Sequence, residues 1–292
     1  MRARGLVCFA LGAAAARAAY TALTRRPPGG AARWTRTNHR GEPLTLLEGP
    51  AVAVAATAAA AAVPSGASPG RLRAATVVAG LGSGVLGAYD DLAGGGDTRG
   101  FKGHLGALAR GQVTSGAVKI LGIGATGLTA AALSRPRACP IDVVVDGGLI
   151  AGGANLLNLF DLRPGRAIKV TALAGAPLAV TSTPGGAVAS ATLGSATALL
   201  NDDLGERAML GDAGANAIGA LLGLAAATAL PRAARVTILA GIAGLTAASE
   251  VVSFTKVIEA TPPLRRLDML GRRPADPRPP AQRPAGTPAP TP

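Results

Sequence analysis

Residues 76–91 read TVVAGLGSGVLGAYDD. An unbroken run of apolar and small residues ends in two adjacent carboxylates, Asp90 and Asp91. Neighbouring acids repel each other and are costly to desolvate, and at a membrane surface such a pair persists where something cationic sits between it and a substrate. Three more polar knots stand at the ends of apolar runs: Asn155-x-x-Asn158-x-x-Asp161, Gly211-Asp212-Ala213-Gly214, and Asn38 to Gly41. Acids and amides confined to the ends of apolar helices point to chemistry on a phosphorylated substrate there.

The rest of the chain has the composition of a membrane protein. Of 292 residues, 49% are hydrophobic and only 15% charged, against about 25% charged in a soluble domain. Mean hydropathy is +0.35. Ala and Gly fill the apolar runs, which suits closely packed transmembrane helices. Aromatics are 2%, so the interfacial belt of Trp and Tyr is thin. The net charge of +13 fits either a nucleic-acid binder or a membrane protein with basic cytoplasmic loops. The basic residues lie between the apolar runs, which selects the second and excludes nucleic acid as a partner. Cys8 and Cys139 are too few for a disulfide framework or a metal site.

Nine candidate spans follow: 5–23, 44–63, 74–89, 113–133, 141–159, 170–183, 185–200, 213–230 and 236–254. Each is near the roughly 17–25 residues a bilayer requires, or slightly short. The sixth and seventh, parted by Pro184-Gly185-Gly186, also read as one tilted span. The first run has signal-peptide features, Arg2 and Arg4 before an apolar stretch, but continues helically to Leu23. Residues 1–271 form one transmembrane domain, and 272–292 a Pro-rich disordered tail. Arg and Lys cluster after the odd-numbered spans, at Arg25 to Arg40, Arg99 to Arg110, Arg163 to Lys169, and Lys256 to Arg273. The positive-inside rule places those loops in the cytoplasm. The expected fold is therefore an all-α polytopic bundle with the N-terminus outside and the C-terminus cytoplasmic. This parity brings Asn38, Asp90, Asp91, Asp161 and Asp212 to one face. Merging the sixth and seventh spans would strand Asp212 on the other.

Each knot also admits a plain structural role. Asp90-Asp91 can be a solvated helix end. Lys102, Gly103 and His104 follow and suit phosphate, though a lone histidine is more often a surface residue. Asn155, Asn158 and Asp161 share a helical face; they line a substrate cavity or bond to a neighbouring helix. Asp212 reads as a helix N-cap or as a carboxylate ligand for Mg²⁺. Glu250, an acid inside the ninth run, is functional or paired.

Taken in order, the motifs resemble the polyprenyl-phosphate N-acetylhexosamine-1-phosphate transferase family, whose members include phospho-N-acetylmuramoyl-pentapeptide transferase. Gly84 to Asp91 is similar to its paired-aspartate motif, and Lys102-Gly103 to the segment after it. Asn155 to Asp161 is similar to its Asn-x-x-Asn-x-x-Asp helix end, and Met209 to Gly214 to its Gly-Asp-x-Gly motif. Arg40 to Pro50 stands at its first cytoplasmic loop, and Pro262-Pro263-Leu264 at its last. The resemblance implies a multi-pass plasma-membrane enzyme with a cytoplasmic site. Such an enzyme moves a sugar-1-phosphate from a UDP-sugar to a polyprenyl phosphate and releases UMP. It implies Asp90, Asp91 and Asp161 as catalytic residues and Asp212 as the Mg²⁺ ligand. Substrate contacts are implied for Asn38, Arg40, Lys102, His104, Asn155, Asn158, Arg265 and Arg266. Two departures stand out. Asp161 is followed by Leu-Arg-Pro-Gly-Arg, without a second acid, and Arg265-Arg266 replace a histidine cluster. The alternative is thus a catalytically inactive member that binds polyprenyl phosphate or scaffolds envelope assembly. A homodimer is the assembly left open.

Overall fold

The computed structural model of the chain describes residues 3–38, 40–62, 69–93, 111, 114–135 and 138–274. Lys102 and His104 lie outside these residues, as does the chain after Pro274. The fold is almost entirely helical. In chain order the helices are α1 (Ala3–Arg25), α2 (Glu48–Ala62), α3 (Pro69–Val77), α4 (Ser83–Ala93), α5 (Ser115–Ser134), α6 (Pro140–Phe160) and α7 (Arg166–Ala179). They continue with α8 (Pro184–Ala198), α9 (Leu200–Leu204), α10 (Gly211–Ala229), α11 (Arg232–Ser249), α12 (Phe254–Ala260) and α13 (Pro262–Met269).

Among the described residues, four stretches are long and apolar enough to cross a bilayer: Ala3–Arg25, Pro69–Ala93, Gly116–Ser134 and Pro140–Phe160. Helices α11 and α12 together have the same length and apolarity but are bent by 95° at the break between them, the shape of a broken span or a re-entrant loop. Large apolar side chains also face outward, among them Leu6, Val85, Leu121, Ile141, Leu173 and Val236. Helices apolar on both their inner and outer faces belong to a membrane bundle rather than to a soluble domain.

Helix α10 is the axis. Apart from Asp212, its residues from Gly211 to Ala227 are buried. It packs most extensively on α6, then on α4, α8 and α2. Glycine permits the approach. A Cβ added at Gly153 of α6 would sit 2.6 Å from the Gly219 carbonyl oxygen of α10. One at Gly87 of α4 would sit 2.2 Å from the Asp212 carbonyl oxygen. Small residues at such crossings let dispersion and interhelical contacts replace the hydrophobic drive that lipid removes.

Two boundaries differ from the sequence expectation, while the division of the sixth and seventh runs is as expected. The second apolar run begins as a strand: Thr35–Thr37 and Pro43–Thr45 form an antiparallel ribbon, with Arg36 opposite Leu44. The ribbon leans on the helices through Trp34, which packs with Leu46 and Leu47. The third run starts earlier, at Pro69, and is continued through a π-helical stretch, Val78–Gly82. The sixth and seventh runs are two helices folded back on each other. Gly175 lies against Leu193, and the Ser190 hydroxyl donates to the Ala179 carbonyl at 3.4 Å. Pro184 opens α8, with the Thr183 side chain accepting from the Gly186 N–H. A proline at the first turn and a Thr cap stop one helix from running into the next.

Candidate functional site

The first N–H groups of α10 have no partners within their own helix. Here they are met by acids from two other helices. The Asp91 carboxylate of α4 accepts from the Asp212 N–H through Oδ1 and from the Ala213 N–H through Oδ2, both at 3.0 Å. The Gly211 N–H stands near the Asp161 carboxyl at the end of α6 and favours its charged form. Three motifs far apart in sequence thus converge on one helix N-terminus, where the helix dipole favours negative charge.

This corrects one sequence reading. Asp212 is not the N-cap: α10 begins at Gly211, and Asp212 lies in its first turn. The capping oxygens come instead from Asp91. Asp91 itself stands in the last turn of α4, and the positive end of α10 lies against it and offsets the opposing dipole of its own helix. Gly211 has φ +58°, and a Cβ there would lie 3.0 Å from Asp91 Oδ2. The glycine of Gly-Asp-x-Gly is required by both the left-handed backbone and the carboxylate next to it.

With Asp91 so engaged, Asp90 and Asp212 face each other. The Lys119 ammonium of α5 reaches both, donating to Asp90 Oδ2 at 3.3 Å and to Asp212 Oδ2. Lys119 was not among the residues expected at the site. It sits within an apolar run, and the rule that singled out Glu250 applies to it equally: an ionisable group in a span has a partner or a function.

Lys119 also lines a cavity of about 570 Å³ between α5, α6 and α11. Its walls are apolar, from Ile120, Ile123, Leu239 and Ile242, while its polar groups are Lys119, Asn155, Asn216, Thr246 and Glu250. Asn155 reaches the Thr246 hydroxyl of α11 at 3.5 Å. Both polar atoms of the Asn216 side chain are buried without a hydrogen-bond partner. Glu250 ends α11 at the bend before α12.

A second, polar cavity of about 270 Å³ lies between the ribbon and the α6–α7 turn. Asn38, Asp161, Arg163, Asp203 and Glu206 line it. Asp161 Oδ2 and Asp203 Oδ2 are buried without a hydrogen-bond partner. Burial, with the charges of Asp203, Asp212 and Asp91 adding to it, holds the Asp161 carboxyl well above the usual carboxylate range. Burial likewise pushes Asp203 up to about 7, against the Gly165 N–H that donates to it. Glu48, at the start of α2, is fully buried with neither carboxyl oxygen hydrogen-bonded.

The remaining expected residues fall in other surroundings. Asn38 bridges Glu42 and Glu206, and its Oδ1 accepts from the Arg40 and Glu42 N–H groups. Arg40 pairs with Glu206 at 2.9 Å and bonds the Arg273 and Pro274 carbonyls. Both therefore tie the ribbon to the helix ends. Asn158 is half-buried on the helix face expected of it, and its carbonyl accepts from the Asp161 N–H. Arg265 and Arg266 are exposed on α13. That helix is held by Asp268, which takes Arg166 at 2.7 and 3.2 Å and Arg272 at 2.9 Å. Among the described residues, no group of three or more acids, histidines or cysteines has the arrangement of a metal site.

No protein-family model matches the chain, and no curated protein matches it.

Proposed function

We propose that the chain is a nine-span plasma-membrane transferase with its N-terminus outside. It would move a sugar-1-phosphate from a UDP-sugar to a polyprenyl phosphate and release UMP at its cytoplasmic face. One observation carries this reading: Asp90 and Asp212, from different helices, share the Lys119 ammonium, and Lys119 also lines an apolar-walled cavity. A phosphorylated lipid needs that pairing of an apolar channel with a charged end. The separation of α7 from α8 supports nine spans, since it keeps Asp212 on the side of Asp90 and Asp161.

The two carboxylates fit a hard divalent cation, whose ligands are oxygens. Asp90 and Asp212 would hold Mg²⁺, which neutralises pyrophosphate and leaving-group charge when bound. Lys119 balances the same charge in the arrangement described. Asn155 and Asn158 would orient the substrate, with Asp161 and Asn38 around the smaller polar cavity. Asp90 would position the lipid phosphate. Its role as a base is minor, because a phosphate monoester with a second pKa near 6 is mostly dianionic at pH 7.

The test is UMP release by purified protein with Mg²⁺, polyprenyl phosphate and a panel of UDP-sugars. The reverse reaction, from UMP and membrane-extracted polyprenyl-diphospho-sugars, covers a sugar missing from the panel. Asp90→Asn and Asp212→Asn should each lower turnover by about a hundredfold or more. One observation favours the second reading, a lipid-phosphate binder without catalysis: both oxygens of Asp91 serve the α10 backbone. No turnover in either direction, with polyprenyl phosphate still raising thermal stability, would establish that reading instead.

A further inference from the structure

A cavity of about 480 Å³ lies on another side of α6, between α6, α7, α10 and α11. Leu156, Leu157, Val170, Leu173, Ala174 and Leu222 are among its walls, and no ionisable residue lines it. Its volume is that of a ligand pocket, roughly 300–1,000 Å³. Leu156, Leu157 and Val170 flank the α6–α7 turn, which carries Arg163.

Arg163 also lines a polar cleft of about 460 Å³ with Arg265, Arg272, Glu259 and Asp268. The acids there are already committed. Asp268 takes Arg166 and Arg272, and Glu259 lies 3.6 Å from Arg163. Burial raises the Asp268 carboxyl, but Arg166 and Arg272 outweigh it and hold the group below its usual range, so it stays ionised. Arg265 is exposed, and its guanidinium has no hydrogen-bond or ion-pair partner among the described residues. Lys169 and Arg166 stand just before Val170, at the same end of α7. The turn thus carries excess positive charge and joins the two helices, α6 and α7, that wall the apolar groove.

We propose that this groove and cleft together bind one anionic diacyl phospholipid, an acyl chain between α6, α7 and α11 and the phosphate on Arg163, Arg265 and Arg272. Charge complementarity selects an anionic headgroup over a zwitterionic one. A basic residue at a membrane surface attracts anionic lipid, and a guanidinium adds fork-like hydrogen bonds to phosphate. The site rests on the membrane reading of the fold and not on transferase chemistry.

Native mass spectrometry of detergent-purified protein reads bound lipid directly. Phosphatidylglycerol should be retained at one copy per chain, at least tenfold more tightly than phosphatidylcholine. Arg265→Gln should weaken retention about tenfold. Ala174→Phe, which fills the groove from its exposed side, should weaken it independently. Asp212→Asn should retain the lipid while losing UMP release, which separates this site from the proposed active site. Equal retention of the two phospholipids would overturn the proposal, as would wild-type retention by both Arg265→Gln and Ala174→Phe. Displacement by inorganic phosphate alone would mean a free-anion site. Preferential displacement by polyprenyl phosphate would mean a substrate groove. Either result would also overturn it.

Discussion

Asp90 and Asp91 are neighbours in sequence and differ in environment, so loss of the Asp91 carboxylate should cost stability and loss of the Asp90 charge should cost turnover. Asp91→Ala removes two hydrogen bonds to the Asp212 and Ala213 N–H groups, both 3.0 Å long. Each is worth about 1 kcal/mol net at a half-buried position. Loss of a carboxylate from a helix N-terminus adds about 0.5–1 kcal/mol. The expected cost is about 3 kcal/mol. Asp91→Asn keeps one acceptor and should lose about half as much. The Asp90 side chain is 20% exposed, and the Lys119 ammonium lies 3.3 Å from its Oδ2. Asp90→Asn keeps the side chain's shape and one oxygen acceptor for Lys119, and should cost less than Asp91→Ala while lowering turnover strongly. Trp34, the single tryptophan, packs on Leu46 and Leu47 and reports unfolding by fluorescence in a mixed-micelle denaturant titration. If Asp91→Ala unfolds within about 0.5 kcal/mol of the parent, the size of an ordinary surface change, the capping argument is wrong. It is equally wrong if Asp90→Asn is the more destabilised of the two.

Gly211→Ala forces an alanine into a left-handed conformation, which costs about 1–2 kcal/mol, and crowds the same carboxylate. Combined with Asp91→Ala, its effect should be less than additive; full additivity would show that the two do not meet. Lys119→Met leaves Asp90 and Asp212 facing each other without a cation. Its melting temperature in EDTA should fall below the parent's, and millimolar Mg²⁺ should recover more of the variant's stability than of the parent's. Equal Mg²⁺ responses would argue against a shared cation position. Asp203, held near 7 by burial, keeps a proton that the unfolded chain, with a pKa near 3.9, releases. Stability should therefore fall as pH rises from about 4 to 7, by up to about 1.4 kcal/mol per unit for one proton, and level off above. Asp203→Asn should flatten that profile and be the more stable protein at pH 8. A variant profile parallel to the parent's would remove Asp203 from the account.

The order of apolar runs determined the helical class, because Ala- and Gly-rich stretches of bilayer length have few alternatives to helix. It also placed the polar residues at helix ends. Gly-Asp-x-Gly announced a helix start correctly, since only glycine tolerates φ +58° against a neighbouring acid. Which atoms meet at that end was decided by tertiary structure. Asp91 lies 121 residues before the N–H it caps, and local pattern cannot say which helix a carboxylate will cap. Lys119 and Glu48 sit inside runs whose average is apolar, so hydropathy hides them although they neighbour the site. Arg40 has the same charge as any phosphate-binding arginine and becomes a structural residue only because Glu206, 166 positions later, folds against it. Charge and periodicity are properties of a stretch. A partner belongs to the packing, and here glycine contacts that bring α4, α6 and α10 to backbone distance choose the partners.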